Sequence, residues 1–370
     1  MNYDALMGEA LELARRGRGA VEPNPRVGAV AVQDGEIVGQ GWHQAYGKPH
    51  AEADALADAA AAGKAPDTVV VTLEPCSAEV GEGGKKNPPC ARALIDAGVS
   101  RVVVGMTDPD PRHAGRAYQQ LEAAGIEVVS GVLEDECRAA NRPFLRWLSL
   151  DRPWTISKWA MTLDGKTAAA SRDARWISGL PARTLTHELR SRCDAVVVGF
   201  RTALTDDPEL TVRHVEGPQP VRVLVDPAAA LPATHRLLAS ACEIPTWVVT
   251  SVEAAAASRS ELAATGAEIL AVPSTGPRRL DLAAAWRGLR ERGLRRLLVE
   301  GGGGLASELM AADCVDQVLC FMAPKLVGGA TAPTPLGGAG QPTVAEAWQF
   351  EEMYWEACGD DLMVGAFRLE

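Results

Sequence analysis

The sequence lacks a long apolar run and an excess of positive charge. None of its apolar stretches approaches the roughly 18 residues that a membrane-spanning helix needs. Residues 1–20 lack the continuous apolar core of a signal peptide, and Asp4, Glu9 and Glu12 argue against a mitochondrial transit peptide. The net charge is −11, whereas a protein that grips long nucleic acid usually carries a basic surface. We therefore expect a cytoplasmic protein that binds neither membrane nor nucleic acid.

Cysteine is sparse and no internal repeat is visible. The 8 cysteines in 370 residues are too few for a disulfide scaffold. In a reducing compartment, cysteines are better explained as metal ligands or as buried thiols. The absence of a repeat of about 20 to 50 residues excludes solenoid and propeller folds. The length then predicts about two ordinary globular domains.

The first part of the chain alternates strand and helix patterns. The sequence VGAVAVQDGEIVGQG predicts a hairpin that turns at Asp34-Gly35. Apolar runs typical of buried strands occur at residues 68–73, 101–106 and 127–131. Helical patterns occur at residues 51–62, 90–99 and 115–125. This alternation predicts an α/β domain over residues 1–147.

A second α/β unit is predicted after a polar break at Asp151-Arg152-Pro153. A helix is predicted over residues 181–193, where the sequence reads PARTLTHELRSRC. Strand-like segments occur at residues 154–161, 194–200, 221–226, 245–250 and 295–304. The sequence therefore predicts a second domain over residues 151–370, with a flexible connection after Gly329 and a last pair of strands.

His50, Cys76 and Cys90 form a candidate zinc site. One imidazole and two thiolates suit zinc and leave a fourth position open for water, whose pKa zinc lowers to about 7. Glu52 lies two residues after His50, so it is expected on a different side of the helix, where it need not bind metal but can move protons. His-x-Glu followed by Pro-Cys and a second Cys is the zinc-deaminase pattern. The alternative is a surface histidine with two buried thiols.

The remaining six cysteines have no ligand-like spacing, and packing in apolar cores is their expected role.

The first domain resembles a known family through the runs EPNPRVGAVAVQDGEIVGQGWH, PHAEADAL, VTLEPCS and NPPCARALIDAGVSRVVVGMTDPDP. These runs are similar to the bifunctional riboflavin-biosynthesis deaminase/reductase family. The resemblance implies a cytidine-deaminase-like, three-layer αβα domain that deaminates a diaminohydroxy-pyrimidine bearing phosphoribosylamine. It implies that His50, Cys76 and Cys90 hold Zn2+ and that Glu52 moves protons. It also implies that three residues face the pyrimidine or the ribose phosphate: Asn24, His43 and Lys86.

The sequence departs from that family in the loop after Cys76. Ala78 stands where the family usually has histidine, and the segment 77–87 is several residues longer. Lys85 and Lys86 therefore compete for the phosphate contact. Without the resemblance, Asn24 is a turn residue between prolines and His43 a solvated residue near a strand end.

The second domain contains a glycine-rich segment, LLVEGGGGLASELMAA. It reads as a strand, four glycines and a helix, and a helix N-terminus with free N–H groups binds phosphate. The segment does not match the G-x-G-x-x-G dinucleotide pattern, so a glycine-rich turn explains it equally well on its own.

Several further runs resemble the reductase domain of the same family, which is dihydrofolate-reductase-like in fold: SKWAMTLDGKTA, LRSRCDAVVVGFRTALTDDPELTVR, LVEGGGGLASELM and VDQVLCFMAPKLVGG. The resemblance implies hydride transfer from NADPH, which converts a ribosylamino group to ribitylamino. The implied NADPH contacts are Ala160, Trp176, Thr202, Asp206, Gly302, Gly303 and Gly304. The implied substrate contacts are Lys158, Arg190, Leu210, Arg213 and Glu300.

Without the resemblance, Trp176 is a core residue and Asp206 caps a helix or turn. The roles of Asp206 and Glu300 stay open between catalysis and sugar binding, and the usual family serine is replaced by Ala174.

The leading hypothesis is a two-step enzyme that binds a small phosphoribosylamino-pyrimidine and forms a homo-oligomer. One alternative is a reductase-only or ligand-binding paralogue whose segment 77–87 closes the deaminase pocket. Another is a nucleoside or nucleic-acid deaminase with an unrelated tail.

Overall fold

The structure is a computed structural model that describes residues 1–45, 47–78, 88–111 and 113–369, apart from the side chain of Arg259. The chain divides into two compact units, Met1–Ser149 and Leu150–Glu370. Across the described residues, no helix combines the length and the apolar character needed to cross a membrane.

The first unit is built on one sheet with the strand order β2-β1-β3-β4-β5. Its strands are β1 (Gly28–Gln33), β2 (Glu36–Trp42), β3 (Thr68–Leu73), β4 (Arg101–Met106) and β5 (Glu127–Ser130). Its helices are α1 (Tyr3–Arg15), α2 (Ala51–Ala61), α3 (Cys90–Asp96), α4 (Arg116–Ala123), α5 (Glu134–Ala140) and α6 (Arg142–Ser149). Strand β1 pairs antiparallel with β2 and β3, whereas β3, β4 and β5 run parallel. The predicted hairpin at Asp34-Gly35 is confirmed.

Strand β5 differs from its prediction as a buried strand. Glu127 and Ser130 are exposed, and Val128 and Val129 are only half-buried. The reason is its position: β5 lies at the edge of the sheet and has a neighbour on one side only.

Helix α2 packs directly on the backbone of β2. A Cβ atom on Gly41 would lie 2.3 Å from the carbonyl oxygen of Ala51, and one on Gly39 would lie 2.2 Å from that of Ala55. Ala51, Ala55 and Ala59 are spaced four residues apart and are fully buried, so they form one face of the helix. Glycine on the strand and alanine on the helix together permit this approach, which fixes the N-terminus of α2 above the sheet.

The second unit contains a larger sheet with the order β10-β9-β8-β7-β13-β6-β14-β16-β15. Its strands are β6 (Trp154–Thr162), β7 (Ala195–Gly199), β8 (Val221–Val225), β9 (Thr246–Ser251), β10 (Glu268–Val272), β13 (Arg296–Glu300), β14 (Gln317–Ala323), β15 (Glu351–Cys358) and β16 (Asp361–Phe367). A separate ribbon contains β11 (Ser274–Gly276) and β12 (Arg279–Leu280). The helices are α7 (Leu180–Arg192), α8 (Phe200–Asp206), α9 (Arg236–Ala239), α10 (Val252–Ala257), α11 (Arg259–Ala264), α12 (Leu282–Glu291) and α13 (Gly303–Ala311), with a 3-10 helix at Val344–Glu346.

The strands from β10 to β14 in this order run parallel, and β16 is antiparallel to both β14 and β15. This arrangement confirms the predicted α/β fold class and the last strand pair. In such sheets, ligands bind beyond the carboxyl ends of the parallel strands. Glu300 ends β13, and Gly199 ends β7 and leads into α8.

Buried polar contacts hold the central strands of the second unit. Trp286 of α12 is fully buried, and its indole Nε1 donates to Thr155 Oγ1 at 2.8 Å. Arg152 makes a two-pronged ion pair with Asp316, at 2.6 and 2.9 Å. Such pairs persist in low dielectric only when their geometry is good, as it is here.

We expect Gly41→Ala to lower the free energy of unfolding by about 2 kcal/mol, because the new methyl group overlaps the backbone of α2. Gly8→Ala in α1 is the matched control. A Cβ there meets no heavy atom within 4 Å, so we expect it to raise stability by about 0.5–1 kcal/mol. Urea denaturation of the two variants measures both effects. Equal unfolding midpoints would contradict the direct contact between α2 and β2.

Candidate active sites

The predicted ligands His50, Cys76 and Cys90 converge in the first unit. His50 Nδ1 lies 3.4 Å from Cys76 Sγ and 3.2 Å from Cys90 Sγ, and the three ligand atoms all lie within 4.8 Å of one another. Zinc bonds of about 2.3 Å to sulfur and about 2.1 Å to nitrogen in tetrahedral geometry place such atoms about 3.6 Å apart. The donor types and their separations therefore fit a zinc ion.

Three different elements bring these ligands together. His50 is the N-cap residue of α2, Cys76 follows the end of β3, and Cys90 is the first residue of α3. The backbone N–H of Cys90 donates to Cys76 Sγ at 3.3 Å, and that of Ala91 donates to the Cys76 carbonyl at 3.1 Å. The N-terminus of α3 thus stabilises negative charge on the Cys76 sulfur.

Glu52 is buried beside this cluster, with 3% of its surface exposed. Burial, followed by the charge of Cys76, raises the pKa of Glu52 to about 7, against the opposing effects of His50 and of a hydrogen bond with Cys90. His50 precedes the helix with an extended backbone (φ −83°, ψ 162°), and Glu52, in the first turn of the helix, interacts with Cys76, His50 and Cys90. A carboxyl group with this pKa can take up and release a proton near neutral pH.

His43 lies next to the cluster and is not solvated. Only 6% of its surface is exposed, and its ring centroid lies 5.4 Å from that of His50. Burial, followed by the charge of His50, lowers the pKa of His43, so the ring is neutral at pH 7. It interacts with the backbone of Pro25, the neighbour of Asn24, and Asn24 lies in a turn closed by its N–H and the Val21 carbonyl. Lys85 and Lys86 lie outside the described residues.

Glu74 was not assigned a role from the sequence, although it stands two residues before Cys76. Its buried carboxylate accepts backbone hydrogen bonds from Asp108, Gly115 and Ala117 at 3.0 to 3.1 Å. It thereby ties the segment after β4 to the segment that carries Cys76. An acidic residue inside an otherwise apolar Leu-Glu-Pro-Cys run was the available signal, because buried carboxylates need partners.

The cysteines outside the cluster are mostly core residues. Cys137, Cys193, Cys314 and Cys320 are buried, which agrees with the expected packing role. Cys242 is exposed, so that expectation is wrong for this residue. Its surroundings are a surface turn in which its sulfur donates to the Thr265 carbonyl at 3.4 Å.

In the second unit, Lys158, Arg190 and Glu300 form a charged cluster that is largely shielded from solvent. Arg190 binds Glu300 through Nε at 2.5 Å and through Nη2 at 3.0 Å. Lys158 lies opposite Glu300 in the register of the adjacent strands β6 and β13. Burial raises the pKa of Glu300, but Arg190 and Lys158 outweigh it and leave that pKa lowered. Burial and then Arg190 lower the pKa of Lys158 against the attraction of Glu300. The structure thus brings together three of the five predicted substrate contacts.

Thr202 and the glycines that open α13 form a second close group. A Cβ atom on Gly302 would lie 2.7 Å from Thr202 Oγ1. One on Gly303 would lie 2.7 Å from the Thr334 carbonyl oxygen and 2.9 Å from Gly337 N. Glycine is therefore required at position 303, where a side chain would meet backbone atoms, and Gly303–Gly304 form the first turn of α13. The free N–H groups of that turn can bind a phosphate.

Trp176 is exposed by 62% and is not a core residue. The guanidinium of Arg183 lies 4.3 Å from its ring centroid. Lys325 Nζ donates to the carbonyls of Trp176 and Ile177, at 2.6 and 2.7 Å. The neighbouring Arg175 donates to the carbonyl of Asp206 at 3.3 Å, which connects this segment to the end of α8.

Three further predicted contacts lie in different settings: Asp206, Ala160 and Leu210. Burial raises the pKa of Asp206 against the opposing charge of Arg175. Ala160 lies on β6 two residues after Lys158, so the two side chains share a face of the sheet. Leu210 is buried with a left-handed backbone (φ 55°).

Asp164 is a further residue without a role from the sequence. Its carboxylate accepts from Thr162 Oγ1 at 2.5 Å and from the N–H groups of Val327 and Gly328, at 3.2 and 2.6 Å. These bonds lower the pKa of Asp164 to about 2, with the Thr162 bond the largest cause. They tie the TLDGKTA segment to the KLVGG segment next to Lys325.

The fold and sites define an enzyme that joins a zinc-dependent deaminase unit to a reductase unit. Residues 1–106 match the zinc-binding region of the cytidine and deoxycytidylate deaminases, and residues 153–364 match the RibD C-terminal domain. The riboflavin biosynthesis protein RibD of Aquifex aeolicus is 37% identical, over 98% of this chain and 97% of its own. The chain belongs to the RibD family and is a bifunctional deaminase/reductase of riboflavin biosynthesis.

Two solved structures share this architecture over nearly the whole chain. Acinetobacter baumannii RibD is 33% identical with a TM-score of 0.67, covering 99% of this chain and 98% of its own. A Thermotoga maritima protein is 34% identical with a TM-score of 0.67 and the same coverage. It is described as a diaminohydroxyphosphoribosylaminopyrimidine deaminase/5-amino-6-(5-phosphoribosylamino)uracil reductase.

These similarities overturn one alternative, the deaminase with an unrelated tail, because the second unit matches the family's own C-terminal domain. The alternative with a closed deaminase pocket depends on the segment 77–87, of which residues 79–87 lie outside the described residues.

We expect metal analysis of the purified protein to find about one zinc per chain, and Cys90→Ser to lower the zinc affinity by more than about tenfold. The substitution removes one of the converging ligands. Cys137→Ser, which alters a buried thiol of the same unit outside the cluster, is the control and should keep its zinc. Full zinc content in the Cys90 variant would remove Cys90 from the site.

Proposed function

We propose that residues 1–147 hydrolytically deaminate 2,5-diamino-6-(5-phosphoribosylamino)pyrimidin-4(3H)-one. Residues 151–370 then reduce the ribosyl side chain with NADPH and give 5-amino-6-(5-phosphoribitylamino)uracil. The observation that carries the proposal is the convergence of His50, Cys76 and Cys90 beside the buried Glu52. The activities described for the Thermotoga maritima relative support it.

In the deamination, His50, Cys76 and Cys90 would hold the metal ion. Zinc bound there would supply Lewis-acid chemistry that lowers the pKa of a water molecule to about 7. Glu52 accepts a proton from the attacking water and delivers it to the pyrimidine, so that the amino group leaves as ammonia. Its pKa of about 7 suits both directions of transfer. His43 borders the pocket as a neutral ring, and Asn24 and Lys86 are proposed to contact the pyrimidine or the phosphate.

In the reduction, the opened ribosylamino group would be an imine; bound NADPH would supply the hydride for its carbon, and a proton from solvent would complete the amine at its nitrogen. The Lys158, Arg190 and Glu300 cluster binds and orients the sugar end of the substrate. Arg213 and Leu210 are proposed to contact the substrate beside this cluster. The cofactor is proposed to lie along Ala160, Trp176, Thr202 and Asp206, with its phosphates at the Gly302 to Gly304 turn.

A two-stage assay tests the deaminase: ammonia release from the phosphoribosylamino-pyrimidine, then NADPH oxidation with the deaminated compound. We expect Glu52→Gln to lower ammonia release by more than about 100-fold, because a glutamine cannot move the proton. Zinc content and NADPH oxidation should stay at wild-type levels. Glu122→Gln, an exposed glutamate in the same unit, is the control.

Loss of both activities in the Glu52 variant would contradict independent sites. If the wild-type chain released no ammonia but oxidised NADPH with the deaminated compound, the reductase-only alternative would replace this proposal.

The reductase assignment is tested with Asp206→Asn. We expect it to slow NADPH oxidation by about tenfold or more and to leave ammonia release unchanged, because Asp206 is proposed to position the cofactor. Asp360→Asn, at an exposed turn between β15 and β16, is the control. Normal reduction by the Asp206 variant would remove this residue from the site.

A further inference from the structure

The backbone of residues 210–213 is held by side chains and not by a neighbouring strand. The Thr211 carbonyl accepts from Arg190 Nη1 at 2.7 Å. Gln219 accepts from Val212 N at 2.8 Å and donates to its carbonyl at 2.9 Å. The N–H of Arg213 donates to His187 Nδ1 at 2.9 Å. The two peptide groups between Thr211 and Arg213 are therefore each held by two side-chain atoms.

Two of these contacts come from one face of α7. His187 and Arg190 are three residues apart on the helix, so they are neighbours on its surface. Arg190 also binds both carboxylate oxygens of Glu300. Helix α7 therefore sets the position of the segment 210–213 relative to the charged cluster at the end of β13.

The bond from Arg213 defines the state of the His187 ring. Nδ1 can accept a backbone N–H only when it carries no proton, so the neutral ring has its proton on Nε2. Burial lowers the pKa of His187 to about 4, and the charges of Arg190 and His214 act in the same direction. Only 5% of the residue is exposed. The ring is therefore a neutral acceptor at pH 7.

The Arg213 side chain is a cation that a phosphate can reach from solvent. Arg190 is engaged by Glu300 and by the Thr211 carbonyl. The Arg213 side chain is 48% exposed. In the described part of the chain its guanidinium is hydrogen-bonded through Nη1 alone, to Glu209 and Thr211. A guanidinium with donors left over suits a phosphate group.

We propose that His187 is a positioning residue of the reductase: by accepting the Arg213 N–H, it holds Arg213 where the phosphate of the substrate binds. The inference rests on the proposed function, since it takes the phosphorylated pyrimidine as substrate. The phosphate is remote from the carbon that receives the hydride. A contact to it that is equally strong in the ground state and in the transition state raises KM and leaves kcat unchanged when it is lost.

Three substitutions at one position isolate the acceptor. Asparagine places its amide oxygen where Nδ1 lies, glutamine places it about one bond further out, and leucine removes it. We expect His187→Leu and His187→Gln to raise the KM for the deaminated substrate about tenfold, with kcat and the KM for NADPH within about twofold of wild type. His187→Asn should restore KM to within about threefold.

A second variant, at an exposed position, tests the same segment if the His187 variants do not fold. Gln219 is exposed, and Gln219→Ala releases Val212 of the same segment, so it should show the same selective rise in KM. Hydrogen exchange of the peptide that contains residues 210–213 should increase in the Leu, Gln and Ala variants and stay slow in His187→Asn. This measurement needs no activity, so it separates failure of the contact from failure of the proposed reaction.

Wild-type KM in both His187→Leu and His187→Gln would overturn the inference. An asparagine variant as impaired as the leucine variant would do the same, because it would show that ring packing and not the acceptor matters. If the wild-type chain failed to oxidise NADPH, the proposed function would fall, and the exchange data alone would decide whether His187 fixes the segment.

Discussion

The first unit depends on one constraint. An imidazole and two sulfurs from distant parts of the chain must lie close enough to bind one metal ion, with a carboxyl group buried beside them. His50, Cys76 and Cys90 belong to three elements, so no local structure can bring them together. The contact of α2 with the glycines of β2 sets the distance of His50 and Glu52 from the sheet. The N-terminus of α3 donates to the Cys76 sulfur, and Glu74 anchors the segment after β4 against the strand that leads to Cys76. Each of these contacts limits how far a ligand can move.

The second unit solves a different problem, which is to keep charges in place in a buried setting. Arg190 and Glu300 are mostly buried, and taking such ions out of water costs several kcal/mol per ion. The two hydrogen bonds between Arg190 and Glu300, and the attraction of Lys158 to Glu300, offset that cost. Removing one partner would leave a buried charge uncompensated, so the three residues have to be kept together. The cluster therefore has a fixed geometry before any ligand arrives, which is what its proposed role in positioning the sugar requires.

The sequence predicted those parts of the structure that follow local patterns. Apolar runs located β3, β4, β7 and β8, and the Asp-Gly turn located the first hairpin, since these signals lie within a few neighbouring residues. The zinc ligands could be predicted because their residue types and flanking prolines are unusual. Exposure was harder: β5 is an edge strand, Trp176 is exposed and His43 is buried, and these outcomes depend on which elements lie next to them. The hydrogen bonds from the backbone of residues 210–213 to His187 and Gln219 could not be predicted from the sequence. A histidine on a helix looks the same in a sequence whether or not it accepts a distant N–H.

The overall charge of −11 makes the local arrangement of cations important. A phosphorylated substrate is anionic, and the averaged field of an acidic protein repels it at long range, although salt at physiological concentration screens this beyond about 8 Å. Binding must therefore come from cations or backbone N–H groups within a few ångströms of the phosphate. In the second unit, Arg190 is bound through two nitrogens by Glu300, whereas Arg213 pairs with Glu209 through Nη1 alone and its side chain is 48% exposed, so Arg213 is the proposed phosphate contact. A flexible arginine would lose side-chain entropy on binding, and holding its backbone in advance reduces what remains to be ordered. Side-chain contacts to the backbone of residues 210–213 thus connect an acidic composition to the recognition of an anion.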